Sequence, residues 1–459
     1  ARSVNPDKAN GNLIIEGENL EVLKLLTSAY RERIKCIYID PPYNTGKDFV
    51  YSDNYAQGQK PYWEQTGVTE DGVKVDTNTD SDGRYHSNWL SMMHSRLLVT
   101  RQLLRPDGVV FVSIDDIEVT NLRRLLDEIF GEECFLANLV WQKTYSPAND
   151  KKGIDAMHDH ILVYARSEEA NVNLLPRSAK QDDAYQNPDN DPRGPWKATD
   201  STRAEHRDYA YFEIVTPSGR SVYPAKGRSW IFTKEELPQL LQDNRLWFGA
   251  DGSSKPSKKL FLSEVKQGVT PTSWWPHEDA GHNDIAKKEL KELFPEAPFE
   301  TPKPVRLIYR ILQLATQQET SDLVLDFFAG SGTTAQAVME LNKADGGNRK
   351  YILVQLPEKT AENSPAFKAG YKKISDITIE RAKRVIAKMQ DEAKVLLPND
   401  PQREFAEGLG FKVYRLTKSA FPRVDFAPDP EKTEAENIEL LKAYIREKES
   451  TFHIQFEKD

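Results

Sequence analysis

Two short strings in this sequence hold side chains at spacings that suit chemistry. The first is Asp40-Pro41-Pro42-Tyr43-Asn44. An amine on an aromatic ring is a poor nucleophile because its lone pair is delocalised, so a site acting on one must accept its N–H bonds and favour a tetrahedral nitrogen. A carboxylate such as Asp40 and a proline carbonyl are suitable acceptors. The prolines fix the backbone, Pro42 brings no competing N–H, and Tyr43 offers a face for stacking an extruded ring. The competing reading is a proline-terminated strand with an aromatic plug. The second string is Asp326-Phe327-Phe328-Ala329-Gly330-Ser331-Gly332-Thr333-Thr334. A glycine-rich turn from strand to helix lets a ligand approach the backbone and aims helix N-terminal N–H groups at an anion. It is not a dinucleotide fingerprint, because Ala335 stands where G-x-G-x-x-G needs its third glycine, and the chain contains no G-x-x-x-x-G-K-S/T phosphate loop.

The elements around these strings alternate as in an α/β sheet. Asn12 to Ile15 reads as a strand, Leu20, Leu23 and Leu26 as a helix, and Ile34 to Ile39 as a strand halted at Asp40 by the two prolines. Trp89 to Leu104 has helical apolar spacing, Pro106-Asp107-Gly108 reads as a turn, and Val109 to Ile114 as a buried strand before Asp115-Asp116. The pattern returns with a helix over Val305 to Leu314, a strand over Leu323 to Asp326, a helix over Thr333 to Leu341 and a strand over Tyr351 to Leu356. Both strings therefore sit at carboxyl ends of strands, where open α/β sheets bind ligands. Between them prolines, aromatics, Asn and Asp are scattered. The expected organisation is a sheet shared by residues 1–145 and 301–396, an inserted domain over 146–300, and an extension over 397–459 that is acidic from Asp429 to Glu436 and helical near Ile438 to Ile445.

Composition narrows the classes. The chain has 459 residues, 38% of them hydrophobic and 29% charged, which suits a globular protein of two to four domains. No apolar run reaches a membrane-spanning length and the N-terminus has no signal-like apolar region, so a cytoplasmic location is expected. Cys36 and Cys134 lack partners at metal-ligand spacing and read as buried thiols. His158 and His160 flank Asp159, but no third ligand stands at a metal-site spacing, and no metal is expected. A net charge of −9 is unusual for a nucleic-acid binder, although a basic cleft on an acidic protein suffices, since local field steers the ligand.

The strings Asp40-Pro41-Pro42-Tyr43 and Phe328-Ala329-Gly330-Ser331-Gly332 resemble the catalytic and cofactor motifs of the DNA amino-methyltransferases, in the permuted order of their β group. His86-Ser87-Asn88-Trp89-Leu90, Phe111-Val112-Ser113-Ile114-Asp115-Asp116, His160-Ile161-Leu162-Val163-Tyr164-Ala165 and Thr301-Pro302-Lys303-Pro304 are similar to the Mod subunits of type III restriction-modification systems, over roughly Asn12 to Phe426. The resemblance implies a Rossmann-like methyltransferase sheet in circularly permuted order, with S-adenosylmethionine as methyl donor, double-stranded DNA as substrate, a homodimer, and a separate Res helicase-nuclease as partner. It implies base flipping and direct transfer, with Asp40, Pro41, Pro42 and Tyr43 as the catalytic string. Asp at its first position goes with adenine N6 and Ser with cytosine N4, so N6 is expected and N4 is the alternative. A DNA-recognition module serving a nuclease is a further alternative.

The donor's expected contacts are Asp40, Asp326, Phe328, Ala329, Gly330, Ser331, Gly332 and Thr333. Glu18 stands where relatives carry an acid for the donor's adenine, though an acid at a helix start needs no ligand to explain it. Gln355 replaces the usual ribose-binding acid, a departure that Glu358 could offset. Lys303 and Pro304 match the segment closing over the donor. In the inserted target-recognition domain, Lys255, Lys258 and Lys259 are candidate phosphate contacts, and Trp274-Trp275 reads either as a base-stacking pair or as core.

Overall fold

The computed structural model describes residues 2–44, 69–70, 73–74, 82–147, 153–177, 182–266, 268–417, 429 and 432–452. Phe426, where the resembling span ends, and positions 430 and 431 of the acidic run lie outside the described residues. Strands β1 (Leu13–Glu16), β2 (Ile34–Ile39), β3 (Leu104–Ile114), β4 (Phe135–Gln142), β5 (His158–Ala165), β6 (Trp274–Trp275), β7 (Leu323–Asp326), β8 (Lys350–Gln355) and β9 (Lys412–Arg415) form one sheet in the order β6-β4-β5-β3-β2-β7-β8-β1-β9. Every pairing is parallel except those of β5, which runs antiparallel to β3 and β4.

The residue types explain this arrangement. All of Ile34-Lys35-Cys36-Ile37-Tyr38-Ile39 is buried, as is all of β8, the pattern of strands covered on both faces. Cover comes from amphipathic helices among α1 (Asn19–Tyr30), α2 (Asp82–Leu103), α3 (Val119–Phe130), α4 (Asn283–Leu293), α5 (Val305–Ala315), α6 (Thr333–Asp345) and α7 (Ile374–Ala393). In α5, Leu307, Ile308, Ile311, Leu312, Leu314 and Ala315 are buried at helical spacing, each large side chain contributing about 1.5–3 kcal/mol relative to exposure. Pro106-Asp107-Gly108 is not a turn before a strand but a bulged start to β3. Leu104 pairs with Ile34 and Val109 with Cys36, and Asp107 within the bulge accepts from Lys35 and Arg105.

The chain separates into two compact units, Ala1–Asn171 with Trp274–Asp459, and Val172–Ser273. The second is narrower than the expected 146–300 insertion because β5, with Ile161 to Ala165 all buried, belongs to the large sheet, as does β6. Beyond residue 397, β9 pairs along β1. Val172–Ser273 has its own core of Ile214, Val222, Trp230, Phe232, Leu246 and Phe248, so some of the aromatics scattered through that region are its packing, while Tyr209, Tyr211 and Tyr223 stay exposed. Among the described residues no helix is long and apolar enough to cross a membrane.

Glu16 closes β1 with only 1% of its surface exposed. It accepts from Arg2 at 2.9 Å and Ser375 at 2.6 Å, with Lys373 and Arg415 at 3.4 Å. Burial opposes its charge, but these partners prevail and hold its carboxyl down at about 2. A depressed acid stabilises the fold above its unfolded value and loses that contribution as pH falls through the folded one. Stability should therefore decline as pH drops from about 4.5 toward 2, and Glu16→Gln should flatten that part of a pH-resolved urea titration.

Candidate active site

Because β1, β2, β7 and β8 are parallel, their carboxyl ends share one edge, bringing Glu16, Asp40, Asp326 and Gln355 to the same side of the sheet. Asp40 follows the last residue of β2. Lys303, from the segment before α5, donates to both its carboxylate oxygens, at 2.7 and 2.6 Å, and its ammonium lies 5.0 Å from the Tyr43 ring centroid. The pair is mostly shielded, with 12% of the Lys303 side chain and 25% of that of Asp40 exposed. The Lys303 carbonyl accepts from Thr333 Oγ1 at 3.3 Å, so one residue touches both strings.

The rest of the first string is held from outside it. Trp89 Nε1 donates to the Pro42 carbonyl at 2.6 Å, whereas no hydrogen bond among the described residues reaches the Pro41 carbonyl. Asn44 takes a left-handed φ of 58° and donates at 2.6 Å to Glu118, a buried carboxylate that also meets His86 Nδ1 at 2.5 Å and Asn121 at 2.9 Å. Burial, followed by the charge of Asp40, pushes the Tyr43 phenol well up, so it stays neutral.

The second string forms a tight loop into α6. Gly330 and Gly332 have φ of 51° and 83°, and a side chain at Gly332 would meet the Thr378 carbonyl at 3.0 Å. Asp326 lies beneath the loop, accepting from the Phe328 N–H at 3.1 Å and Thr334 Oγ1 at 2.6 Å. Burial raises its carboxyl to about 7. Gln355, expected at the ribose, accepts from the Gly330 N–H at 2.7 Å and donates to the Leu356 carbonyl. Glu358 is exposed just beyond. Phe328, Ala329, Ser331 and Thr333 are all buried. Glu18 N-caps α1 through the Glu21 N–H and accepts from buried Arg96 at 2.6 Å, while Asn19 donates to the Phe327 carbonyl.

Two features suit the loop to an anion. Among the described residues no side chain caps α6 at Gly332, an arrangement that leaves first-turn N–H groups free to meet an anion. Behind it lies fully buried Arg381, which donates to Ser331 and Thr333 hydroxyls at 2.8 Å and to Gln336 at 2.9 Å, while its Nη2 has no hydrogen-bond partner among the described residues. Burial lowers its guanidinium to about 10, leaving it cationic at neutral pH.

Residues that the sequence did not single out complete the site. Arg96, Trp89 and Glu118 position the strings. Asp159 on β5 is buried and paired with Lys143 at 2.7 Å, and burial raises its carboxyl against the pull of Lys303 and Lys143. Trp89 belonged to a string already noted, and Asp159 had been named only as the residue between two histidines. The lack of a third ligand beside His158 and His160 does not hold in three dimensions, because Asp116 approaches both.

Lys259 corrects an expectation. It is 1% exposed, pairs with Asp189 and Asp191, and lies 5.0 Å from the Trp196 ring, so it cannot reach a phosphate. The segment is a strand, Ser257–Phe261, whose alternation turns Lys258 outward and Lys259 inward. Lys255 is exposed. Trp274 and Trp275 divide likewise, 54% and 0% exposed.

The comparisons fit this geometry. The DNA methylase family model matches residues 34–366. The chain belongs to the N6/N4 DNA methylase family. Its sheet is the permuted methyltransferase sheet that the resemblance implied, with β2 and the Asp40 string preceding β7 and the glycine loop. The chain is similar to the StyLTI Mod subunit, a type III restriction-modification enzyme of Salmonella typhimurium, at 36% identity over 89% of this chain and 61% of that one. The EcoP15I Mod subunit of Escherichia coli is 32% identical over 89% and 66%. The type II methyltransferase M.KpnI of Klebsiella pneumoniae is 30% identical over 83% and 89%. The chain thus spans less than two thirds of the length of these Mod subunits.

Lys303→Met should leave Asp40 without its counter-charge and destabilise the protein by about 1–3 kcal/mol in urea unfolding. An unchanged midpoint would mean that the pair does not hold the edge together. Lys259→Ala, which takes the cation from half-buried Asp189 while Asp191 keeps Arg193, should cost about 1–3 kcal/mol. Lys258→Ala should leave thermal stability unchanged.

Proposed function

We propose that this chain is a site-specific DNA methyltransferase that moves a methyl group from S-adenosylmethionine to N6 of adenine in duplex DNA. The observation that carries the reading is Lys303, whose ammonium grips Asp40 while its carbonyl holds Thr333 of the glycine loop. That contact sets an amine-accepting string beside an anion-accepting one. When bound, S-adenosylmethionine supplies an electrophilic methyl group on a sulfonium. The uncapped N–H groups of α6, backed by Arg381, suit its carboxylate. Asp326 and Gln355 act indirectly, by fixing the loop that would receive the donor.

The remaining steps belong to the first string. The target base leaves the duplex and stacks against Tyr43. Asp40 and the Pro41 carbonyl accept its amine N–H bonds, localising the lone pair on nitrogen. As the N–C bond forms, the donor's S–C bond would break and release a neutral thioether, and the amine's proton would pass by way of Asp40 to solvent. The two oxygens of Asp40 offer about four lone-pair positions, so accepting an amine does not require Lys303 to leave. Trp89 and Glu118 keep the string in place before substrate arrives, and such preorganisation lowers the barrier rather than the ground state.

Asp at the first position of the string supports adenine over cytosine. Similarity to Mod subunits supports a role as the modification and recognition part of a type III system, working as a homodimer with a Res helicase-nuclease. In that role Val172–Ser273 would read the DNA sequence, with Lys255 and Lys258 near phosphates.

The test incubates the protein with methyl-labelled S-adenosylmethionine and a mixed-sequence duplex, followed by digestion to nucleosides. Label is expected in N6-methyladenosine, with Asp40→Ala lowering the rate about 10²–10⁴-fold. Label in N4-methylcytosine would reassign the base. Retained DNA binding with no label would replace the enzyme reading with a recognition module.

A further inference from the structure

The carboxyl edge of the sheet carries a second cluster, apart from the Asp40 string. The ends of β3 and β5 meet there because the strands are antiparallel with Ile114 opposite His160, which sets the start of β5 beside Asp115-Asp116. His158 and His160 are two apart on a strand and share a face, while Asp159 points to the other. One ligand atom from each of Asp116, His158 and His160 lies within 4.8 Å of the others. His160 Nε2 is 2.9 Å and His158 Nε2 3.7 Å from the same oxygen, Asp116 Oδ1.

We infer that Asp116, His158 and His160 form a binding site for a divalent transition-metal cation of the zinc class. Two imidazoles and one carboxylate are a common protein set for such an ion where coordination positions stay open. Exposure fits: 56% of the Asp116 side chain and 35% of that of His158 face solvent, giving an ion entry and room for water ligands. The neighbour of His160 points the same way. Its Nδ1 lies 3.1 Å from Asn138 Oδ1, an acceptor, so Nδ1 carries the hydrogen. Nε2 of a neutral ring then turns its lone pair toward the carboxylate oxygen. Two lone pairs at 2.9 Å repel unless a proton or a metal cation lies between them, and a ligating histidine whose other nitrogen donates to an oxygen is the usual supporting arrangement. The opposite orientation of the Asn138 amide would let Nε2–H donate to Asp116 with no ion present, and the experiment separates the two.

The site lies two strands from Asp40, in the order β5-β3-β2. A bound cation would fasten the start of β5, and with it Asp159 and its Lys143 pair, to the end of β3. None of this depends on methyl transfer, so the two readings fail independently.

Protein stripped of metal by chelation and dialysis would be titrated with Zn²⁺ by calorimetry and with Co²⁺ by its visible ligand-field bands. One equivalent is expected, with a thermal midpoint raised by Zn²⁺ in the wild type. Asp116→Asn, at a half-exposed position where the fold should persist, and His160→Asn should weaken binding about tenfold or more, and Asn138→Ala about tenfold as a supporting residue. Circular dichroism would verify folding of each variant. Absence of Co²⁺ bands and of Zn²⁺ heat in the wild type would overturn the site and leave a proton-mediated His160–Asp116 bond. Equal binding by wild type and folded Asp116→Asn would overturn it too.

Discussion

The pairing of β7 between β2 and β8 is the constraint from which the site follows. Leu323–Asp326 is a short strand, yet it pairs in parallel on both sides, with Ile34 to Ile37 from the beginning of the chain and Lys350 to Leu353 from near its end. Parallel pairing points all three strands one way, so the segments leaving them emerge together. Asp40 and the glycine loop become neighbours for this reason. If β7 were lost, the first part of the chain would keep an acid and two prolines with no glycine loop beside them.

Charge at that edge is organised pair by pair. Asp40 has Lys303, Asp159 has Lys143, Glu18 has Arg96, and Glu16 has Arg2 with Lys373 and Arg415 nearby. Glu118 is satisfied by Asn44, His86 and Asn121. Asp326 is the instructive contrast, since among the described residues it has hydrogen bonds but no hydrogen-bonded cation, and burial raises its carboxyl to about 7. A charge removed from water is tolerated only with a partner or by neutralisation. Groups held this way are in position before a ligand arrives, at the cost of a scaffold that must bury many ions in register.

Several side chains that look alike in sequence end in opposite places. Lys258 and Lys259 are adjacent lysines, one in solvent and one beneath Trp196. Trp274 and Trp275 divide in the same way on β6. Strand phase decides both cases, and phase depends on which face a partner covers. The amide of Gln355, which ends β8, is engaged by Gly330 of the glycine loop, a contact that the spacing of the residues does not reveal. The His158-Asp159-His160 triplet lacked a third ligand only along the chain. Asp116 meets it through an antiparallel pairing of β3 and β5 that no local signal announces.

Local chemistry determined a good deal by itself. Periodic apolar residues, paired prolines and a glycine-rich turn specified strands β2 and β7, helices α1 and α5, and the two motifs at strand ends. Those signals are short-range, because backbone geometry and amphipathic spacing act within a few residues. Tertiary structure alone decided the strand order, the narrower bounds of the inserted unit, the enrolment of β5 and β9 in the large sheet, and the partners of buried charges such as Glu16, Arg96 and Lys259. These depend on contacts between residues far apart in sequence, such as Lys303 with Asp40 and Asp116 with His160. Such contacts are selected by burial and desolvation once the sheet has closed, and a linear string carries no measure of either.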